Sequence, residues 1–274
     1  MATFNRICSA IFDAILGLPP SDAHPWFDLL VWPILGGIVA LLVYKYTSNQ
    51  AGIARAKGRI KMHLVEIRLF NHDLGIVVGA TARILLHNAV YLGLNVVPML
   101  VMFVPIMVLL VQLEARYAHD PLPVGQDVLL SLTLDRQHCD LPPTAVTLEL
   151  PPGIVQTAPP VRGPDGTVTW RLRPTQAGDF TLEVHVGDQV VTKGLAAGGA
   201  PRKVPIMRTK RLEALLYPGE AGLPADSPVE DLRLPCPERA LPWMPDGESG
   251  VLIVFFVVSL VSGYALKDLF GVVL

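Results

Sequence analysis

The chain has 274 residues, 51% of them apolar and 17% charged, with a formal net charge of −2 and a mean hydropathy of +0.45. A soluble domain carries about a quarter charged residues, so part of this chain is expected to face lipid; disorder, a collagen repeat and a disulfide scaffold are excluded on the same composition. The near-neutral balance, with a sequence pI of about 6.4, gives no reason to expect a specific nucleic-acid partner.

In chain order, the segment 1–25 comes first. Ile7, Ala10, Ile11, Ala14 and Ile15 share one helical face, which predicts a short amphipathic helix lying on the membrane surface. Asp13 interrupts the apolar run, and Pro19, Pro20 and Asp22 follow without a small-residue cleavage pattern, so a signal peptide is not expected. A first span is predicted over 26–46, with Trp26, Trp32, Tyr44 and Tyr46 near its ends, where amphipathic rings favour the headgroup level. A second span, 88–115, holds no charge between Ala89 and Leu113 and contains Pro98 and Pro105, which predict kinks. The third span, 249–268, is short and closes with Lys267 and Asp268.

Between the first two spans, the segment 47–87 carries Arg55, Lys57, Arg59, Lys61, Arg68 and Arg83 against Glu66 and Asp73. Short basic loops stay in the cytoplasm; this places the N-terminus outside and the C-terminus inside. Ile53, Ile60, Ile67 and Leu74 recur every seven residues, with Leu64 between them, a heptad-like seam. Asp73 is placed to cap a following helix. The expectation is an antiparallel helical hairpin with its tip near Asn71, serving as a docking element rather than a bare connector, since a connector needs only a few residues.

After Tyr117 the period changes. Segments 126–134, 145–150, 167–173, 179–186 and 189–195 alternate and are rich in Val, Thr and Leu, separated by Pro-Pro-Gly, Pro-Asp-Gly and Gly-Asp turns. They predict an Ig-like β-sandwich of six or seven strands over 118–196, with Trp170 in its core. No Cys…Trp…Cys framework accompanies it. Cys8, Cys139 and Cys236 are an odd count without C-x-x-C spacing; Cys139 and Cys236 are the pair that could join, and free thiols are the expectation. The segment 197–248 reads as a Pro/Gly-rich linker. Its basic run, Arg202, Lys203, Arg208, Lys210 and Arg211, is read as solvated, with lipid phosphates as the second reading.

Catalytic signatures are missing. The seven histidines are scattered, and H-E-x-x-H, G-x-S-x-G and P-loop patterns do not occur. No enzyme, metal or cofactor is therefore expected. Polar residues within the spans carry more weight, because they are expensive in hydrocarbon. Asn88 and Asn95 lie seven apart, about 20° from each other around a helix, and Gln112, Ser259 and Ser262 join them. Two readings stand: interhelical hydrogen bonds, or a shallow polar groove open to the cytoplasm.

The hairpin QAGIARAKGRIKMHLVEIRLFNHD (50–73), the span NVVPMLVMFVPIMVLLVQL (95–113) and FFVVSLVSGYAL (255–266) together resemble the YidC/Oxa superfamily of membrane-protein insertases. The similarity is to its three-span branch, which includes the core insertase subunit of the endoplasmic-reticulum membrane protein complex. The resemblance covers about half the chain and is one of topology and texture. It implies a nucleotide-independent insertase or membrane chaperone. Asn88, Asn95, Ser259 and Ser262 would line its groove with Arg83 at the mouth, and Arg55, Lys57, Arg59, Lys61 and Arg68 would form its docking surface. Implied partners are nascent or newly released membrane proteins and the lipid bilayer, with the ribosome nearby; the composition suggests a bacterial inner membrane. Two departures stand out. Family members usually carry a basic residue in the groove on the first core span, whereas residues 29–43 hold no charge; and the β-domain, whose partner is unknown, is no part of the three-span core. The alternative is a membrane-anchored extracytoplasmic Ig-like adaptor or sensor. A channel is the third class, disfavoured because no charged ring is visible.

Overall fold

The structure, a computed structural model, describes residues 25–135, 142 and 145–272. The amphipathic helix expected over 1–25 and the Cys139 thiol lie outside the described residues. The chain divides into two compact units, Leu30–Leu109 with Phe255–Leu274, and Met1–Leu29 with Leu110–Val254.

Four α-helices are present among the described residues: α1 (Pro25–Thr47), α2 (Gln50–Leu69), α3 (Leu74–Tyr117) and α4 (Gly247–Leu266). Three of them, α1, α3 and α4, are long and apolar enough to cross a membrane, which makes this an integral membrane protein. At 1.5 Å per residue the 44 residues of α3 extend about 66 Å, twice the hydrocarbon thickness of a bilayer. The helix runs on through Pro98 and Pro105. Its exposed apolar side chains, among them Leu100, Phe103 and Val104, need no protein partner where lipid is the solvent.

In the first unit α2 and α3 are separated by a turn at 70–73. Both helices start on side-chain caps. The Asn49 carboxamide oxygen accepts from Gly52 N at 2.9 Å, and the Asp73 carboxylate accepts from Gly75 N at 2.9 Å and Ile76 N at 3.2 Å, satisfying donors a helix start leaves open. Lys57 lies over the Tyr91 ring, the rings of His63 and His87 are 5.6 Å apart, and Glu66 accepts from Arg83 at 3.5 Å. As the residue number rises along α2 its partner's number falls along α3, so the two helices run antiparallel. The expected heptad seam is buried only at its start: Ile53 is fully buried, Ile60 and Ile67 are half-buried, and Leu64 and Leu74 are exposed. Leu74 begins the next helix, so the repeat does not continue past the turn. Leu41, Tyr44 and Ile53 form the buried core of this unit, with Tyr91 and Leu94 packed against them.

The second unit is a β-sandwich of two antiparallel sheets. Its strands are β1 (Val128–Leu134), β2 (Val146–Glu149), β3 (Ile154–Arg162), β4 (Thr167–Pro174), β5 (Gly178–Val186), β6 (Gln189–Ala197), β7 (Met207–Thr209) and β8 (Val229–Arg233). One sheet has the order β3-β4-β1-β8-β7, the other β2-β5-β6. Alternation puts Leu130, Leu132, Trp170 and Leu172 of the first sheet and Leu182, Val184 and Val186 of the second into one core. A two-residue turn joins β5 to β6, with Val186 opposite Gln189. Gly187 opens it at φ +59°, a conformation that a Cβ disfavours.

Two expectations are corrected here. The sandwich is not confined to 118–196, which supplies six of its eight strands among the described residues, and the segment 197–248 is no linker. It supplies β7 and β8, and β8 pairs with β1 over Ser131–Leu134. The missed strand β3 contains Pro159 and Pro160, which lack a donor. It tolerates them because it lies at the sheet edge and its register slips around Ala158.

Candidate membrane recess

Glycines set the packing of the three membrane helices. A Cβ on Gly36 would stand 2.9 Å from Leu109 Cδ2, and one on Gly37 would stand 2.5 Å from Ser262 Oγ and 2.7 Å from the Ser259 carbonyl oxygen. Only hydrogen at these positions lets α1 come this close to α3 and α4. Beside this contact the helices part around a cavity of about 580 Å³. α1 contributes Tyr44, α3 contributes Tyr91, Asn95, Met99 and Met102, and α4 contributes Phe255 and Ser259.

The lining is overwhelmingly apolar and carries one polar ledge. The Tyr44 hydroxyl donates to the Asn95 carboxamide oxygen, and Asn95 Nδ2 donates to the Tyr91 carbonyl at 2.6 Å. Ser259 Oγ donates to the Phe256 carbonyl at 3.2 Å. Each polar side chain of the ledge is thus hydrogen-bonded, as a low-dielectric setting requires. Unbranched Met99 and Met102 give the wall the adaptability of thioethers. Such a surface suits an apolar segment of variable sequence.

The predicted groove residues are only partly brought together. Asn95 and Ser259 line the cavity. Ser262 lies behind it, donating to the Ser259 carbonyl at 3.0 Å where α4 meets Gly37. Asn88 is exposed and lines no part of it. The angular argument holds, yet seven residues are also about 10 Å along the axis, and on α3 the lining begins at Tyr91. Arg83 is further away still and pairs with Glu66 on the hairpin, so it does not stand at the mouth. Missed from sequence were Tyr44, Tyr91 and the Gly36-Gly37 pair; two adjacent glycines inside an apolar run are the signal that would have marked a close helix approach.

On the hairpin, Arg55, Arg59, Lys61 and Arg68 are exposed and Lys57 is half-buried, 5.5 Å from the Tyr91 ring centre. Among the described residues none of these five forms an ion pair with a carboxylate. A second cavity, of about 330 Å³, opens beside them between α2 and α3, with Arg55 and Arg59 in its wall.

The basic run of the β-unit behaves otherwise. Arg202 pairs with Asp179, Lys210 with Asp135 and Arg211 with Glu230, while Arg208 donates to the Thr192 and Ala221 carbonyls. These residues tie β7 and its flanks to the sandwich, so the run belongs to the folded unit and not to a linker, although Arg211 itself stays exposed. Lys193 is fully buried, donating to Glu220 and to the Pro205 carbonyl at 2.6 Å; burial lowers its affinity for the proton and Glu220 opposes that. Cys236 is a free thiol that burial pushes up to about 11. A cross-strand group on the second sheet, Glu149, Glu183 and His185, brings three residues of metal-binding type within 4.8 Å of one another. It was invisible in sequence because Glu149 lies 36 residues from His185, and its two carboxylates are solvent-exposed.

Searches against protein-family models, curated proteins and solved structures return no match to this chain.

Proposed function

We propose that this chain is a membrane-protein insertase or membrane chaperone that works without a nucleotide or other cofactor. The observation that carries the reading is the 580 Å³ cavity bounded by α1, α3 and α4, mostly apolar with the Tyr44–Asn95 pair among its few polar side chains, in the same unit as a basic helical hairpin. The positive-inside bias of segment 47–87 puts that hairpin in the cytoplasm, where it meets nascent or released membrane proteins. The apolar part of a substrate lies against Met99 and Met102. Its polar flank passes Tyr44 and Asn95, which offer hydrogen-bonding atoms where lipid offers none. Transfer of about twenty apolar residues into lipid supplies the driving force. The sandwich, read as Ig-like, faces outward and engages a separate partner.

The test is reconstitution of the full chain into liposomes with a small single-span membrane protein as substrate and a photocrosslinking amino acid at position 99 or 100. Met99 lines the cavity and Leu100, its neighbour on α3, does not. Insertion above protein-free liposomes without nucleotide, with crosslinks from 99 several-fold above those from 100, is the expected result. Insertion no better than in empty liposomes overturns the proposal and leaves the membrane-anchored adaptor reading.

A further inference from the structure

The second cavity lies where a charged helix surface meets an apolar one. Arg55 and Arg59 of α2 face Leu86, His87, Val90 and Leu94 of α3 across about 330 Å³, and Asn49 is also in the wall. No carboxylate is among its lining residues. Arg55 and Arg59 are four apart on one helix, a like-charge spacing that is unfavourable unless an anion answers it.

Hydrogen bonds leave donors free in this wall. His87 Nδ1 is 2.7 Å from the Arg83 carbonyl, which accepts but cannot donate, so the proton sits on Nδ1 and Nε2 accepts from Arg59 Nη1 at 3.3 Å. That bond uses one of the five N–H donors of Arg59. Arg55 Nε is held by the Ala51 carbonyl at 3.2 Å, leaving its terminal amines. Asn49 spends its carboxamide oxygen on the α2 cap and keeps its NH2. Two guanidiniums and an amide are a donor set for phosphate oxygens.

The opposite wall decides the source of that phosphate. Leu86 is 63% exposed and Val90 49% exposed, and both belong to α3 as it enters its long uncharged run. The Lys57–Tyr91 pair sits at the same level, in the position of an interfacial anchor. A free phosphate ion gains nothing from Leu86 and Val90, whereas a phospholipid places its headgroup on the arginines and its acyl chains along them. Basic pockets between helices at the membrane surface bind anionic headgroups in this way.

We propose that the cavity between α2 and α3 binds the phosphate headgroup of an anionic phospholipid, held by Arg55, Arg59 and Asn49. This site is distinct from the recess between the membrane helices, and its occupancy does not depend on insertase activity.

The experiment is native mass spectrometry of the delipidated full chain in detergent, titrated with dioleoylphosphatidylglycerol, with dioleoylphosphatidylcholine and with inorganic phosphate. Phosphatidylglycerol is expected to bind at least tenfold more tightly than phosphatidylcholine. The double variant Arg55→Gln/Arg59→Gln loses at least tenfold of that affinity, while Lys61→Gln/Arg68→Gln, with the same loss of charge, stays within twofold of the parent. Leu86→Ser, which keeps the arginines, weakens phosphatidylglycerol several-fold. Equal weakening by the two double variants overturns the site in favour of diffuse attraction. Equal binding of the two lipids, or displacement of phosphatidylglycerol by millimolar inorganic phosphate, overturns the lipid assignment.

Discussion

The helical hairpin, segment 47–87, carries six arginines and lysines and the sandwich segment, 118–248, carries twelve, and the two treat them in different ways. In the sandwich unit Arg173, Lys193, Arg202, Lys210, Arg211 and Arg239 each meet a carboxylate of the same unit. On the hairpin Arg55, Lys57, Arg59, Lys61 and Arg68 form no ion pair with a carboxylate among the described residues; Glu66, the acidic residue of α2, is taken by His63 and Arg83. Cations answered within the fold hold the fold together, and cations left unanswered in a helical pair are available to something outside it. The sandwich network extends to its buried polar end, where Arg239 donates to Asp120 at 2.7 Å and to the His119 carbonyl, and Tyr117 donates to Asp28.

Four measurements test this picture, in falling order of effect. The largest concerns Lys193. Glu220→Ala leaves a fully buried ammonium without its carboxylate, and the sandwich is expected to lose about 3 kcal/mol, read by pulse proteolysis of the full chain in nanodiscs against urea. The double variant Lys193→Met/Glu220→Leu should recover most of that loss; if the single change were silent, internal pairing would not be what holds this face.

Next in size is Gly37→Val. The added carbons meet Ser262 Oγ and the Ser259 carbonyl, and overpacking of this kind costs about 1–3 kcal/mol. The expected outcome is a lowered thermal midpoint of the helical unit in nanodiscs, with the sandwich protected as before. An unchanged midpoint would show that the glycine contact does not hold α1 against α4.

The smallest effect belongs to the exposed pairs. Arg211→Gln should leave sandwich stability nearly unchanged, since solvent screens the exposed Arg211–Glu230 pair. Asp127 makes the pH dependence visible. Arg173 holds its carboxyl below the ordinary 3.8, so the folded-state value is depressed. Its contribution is therefore complete above the unfolded value and is lost as pH falls below about 4 through the folded value. Asp127→Asn should lower stability slightly at neutral pH, where the charged pair is complete, and match the parent below the folded value, so that the acid limb flattens; a loss that persisted undiminished in acid would contradict the pairing.

Much of the fold is legible in local pattern. Apolar length marks α1, α3 and α4, and the Asp73 cap marks the start of α3. Alternation marks β1, β4, β5 and β6, because a half-buried strand must change face at every residue. Strand β3 hides behind Pro159 and Pro160, which read as a breaker until its edge position is known. Strands β7 and β8 hide because three and five residues inside a Pro-rich stretch are too short to show a period. The candidate site was less legible. Asn95 and Ser259 follow from the cost of polar groups in hydrocarbon, but Asn88 shows that sharing a helix face is not sharing a site.

What the amino-acid order determined alone is therefore the inventory: three membrane-length helices, a basic antiparallel helical pair and a set of alternating strands. These are properties of hydrophobic length and period, expressed within a dozen or two residues. What the tertiary structure decided is which charges are answered and where space is left. Arg239 finds Asp120 across 119 residues and Tyr44 finds Asn95 across 51. Pairings that distant are fixed by packing, because no local propensity distinguishes one buried partner from another.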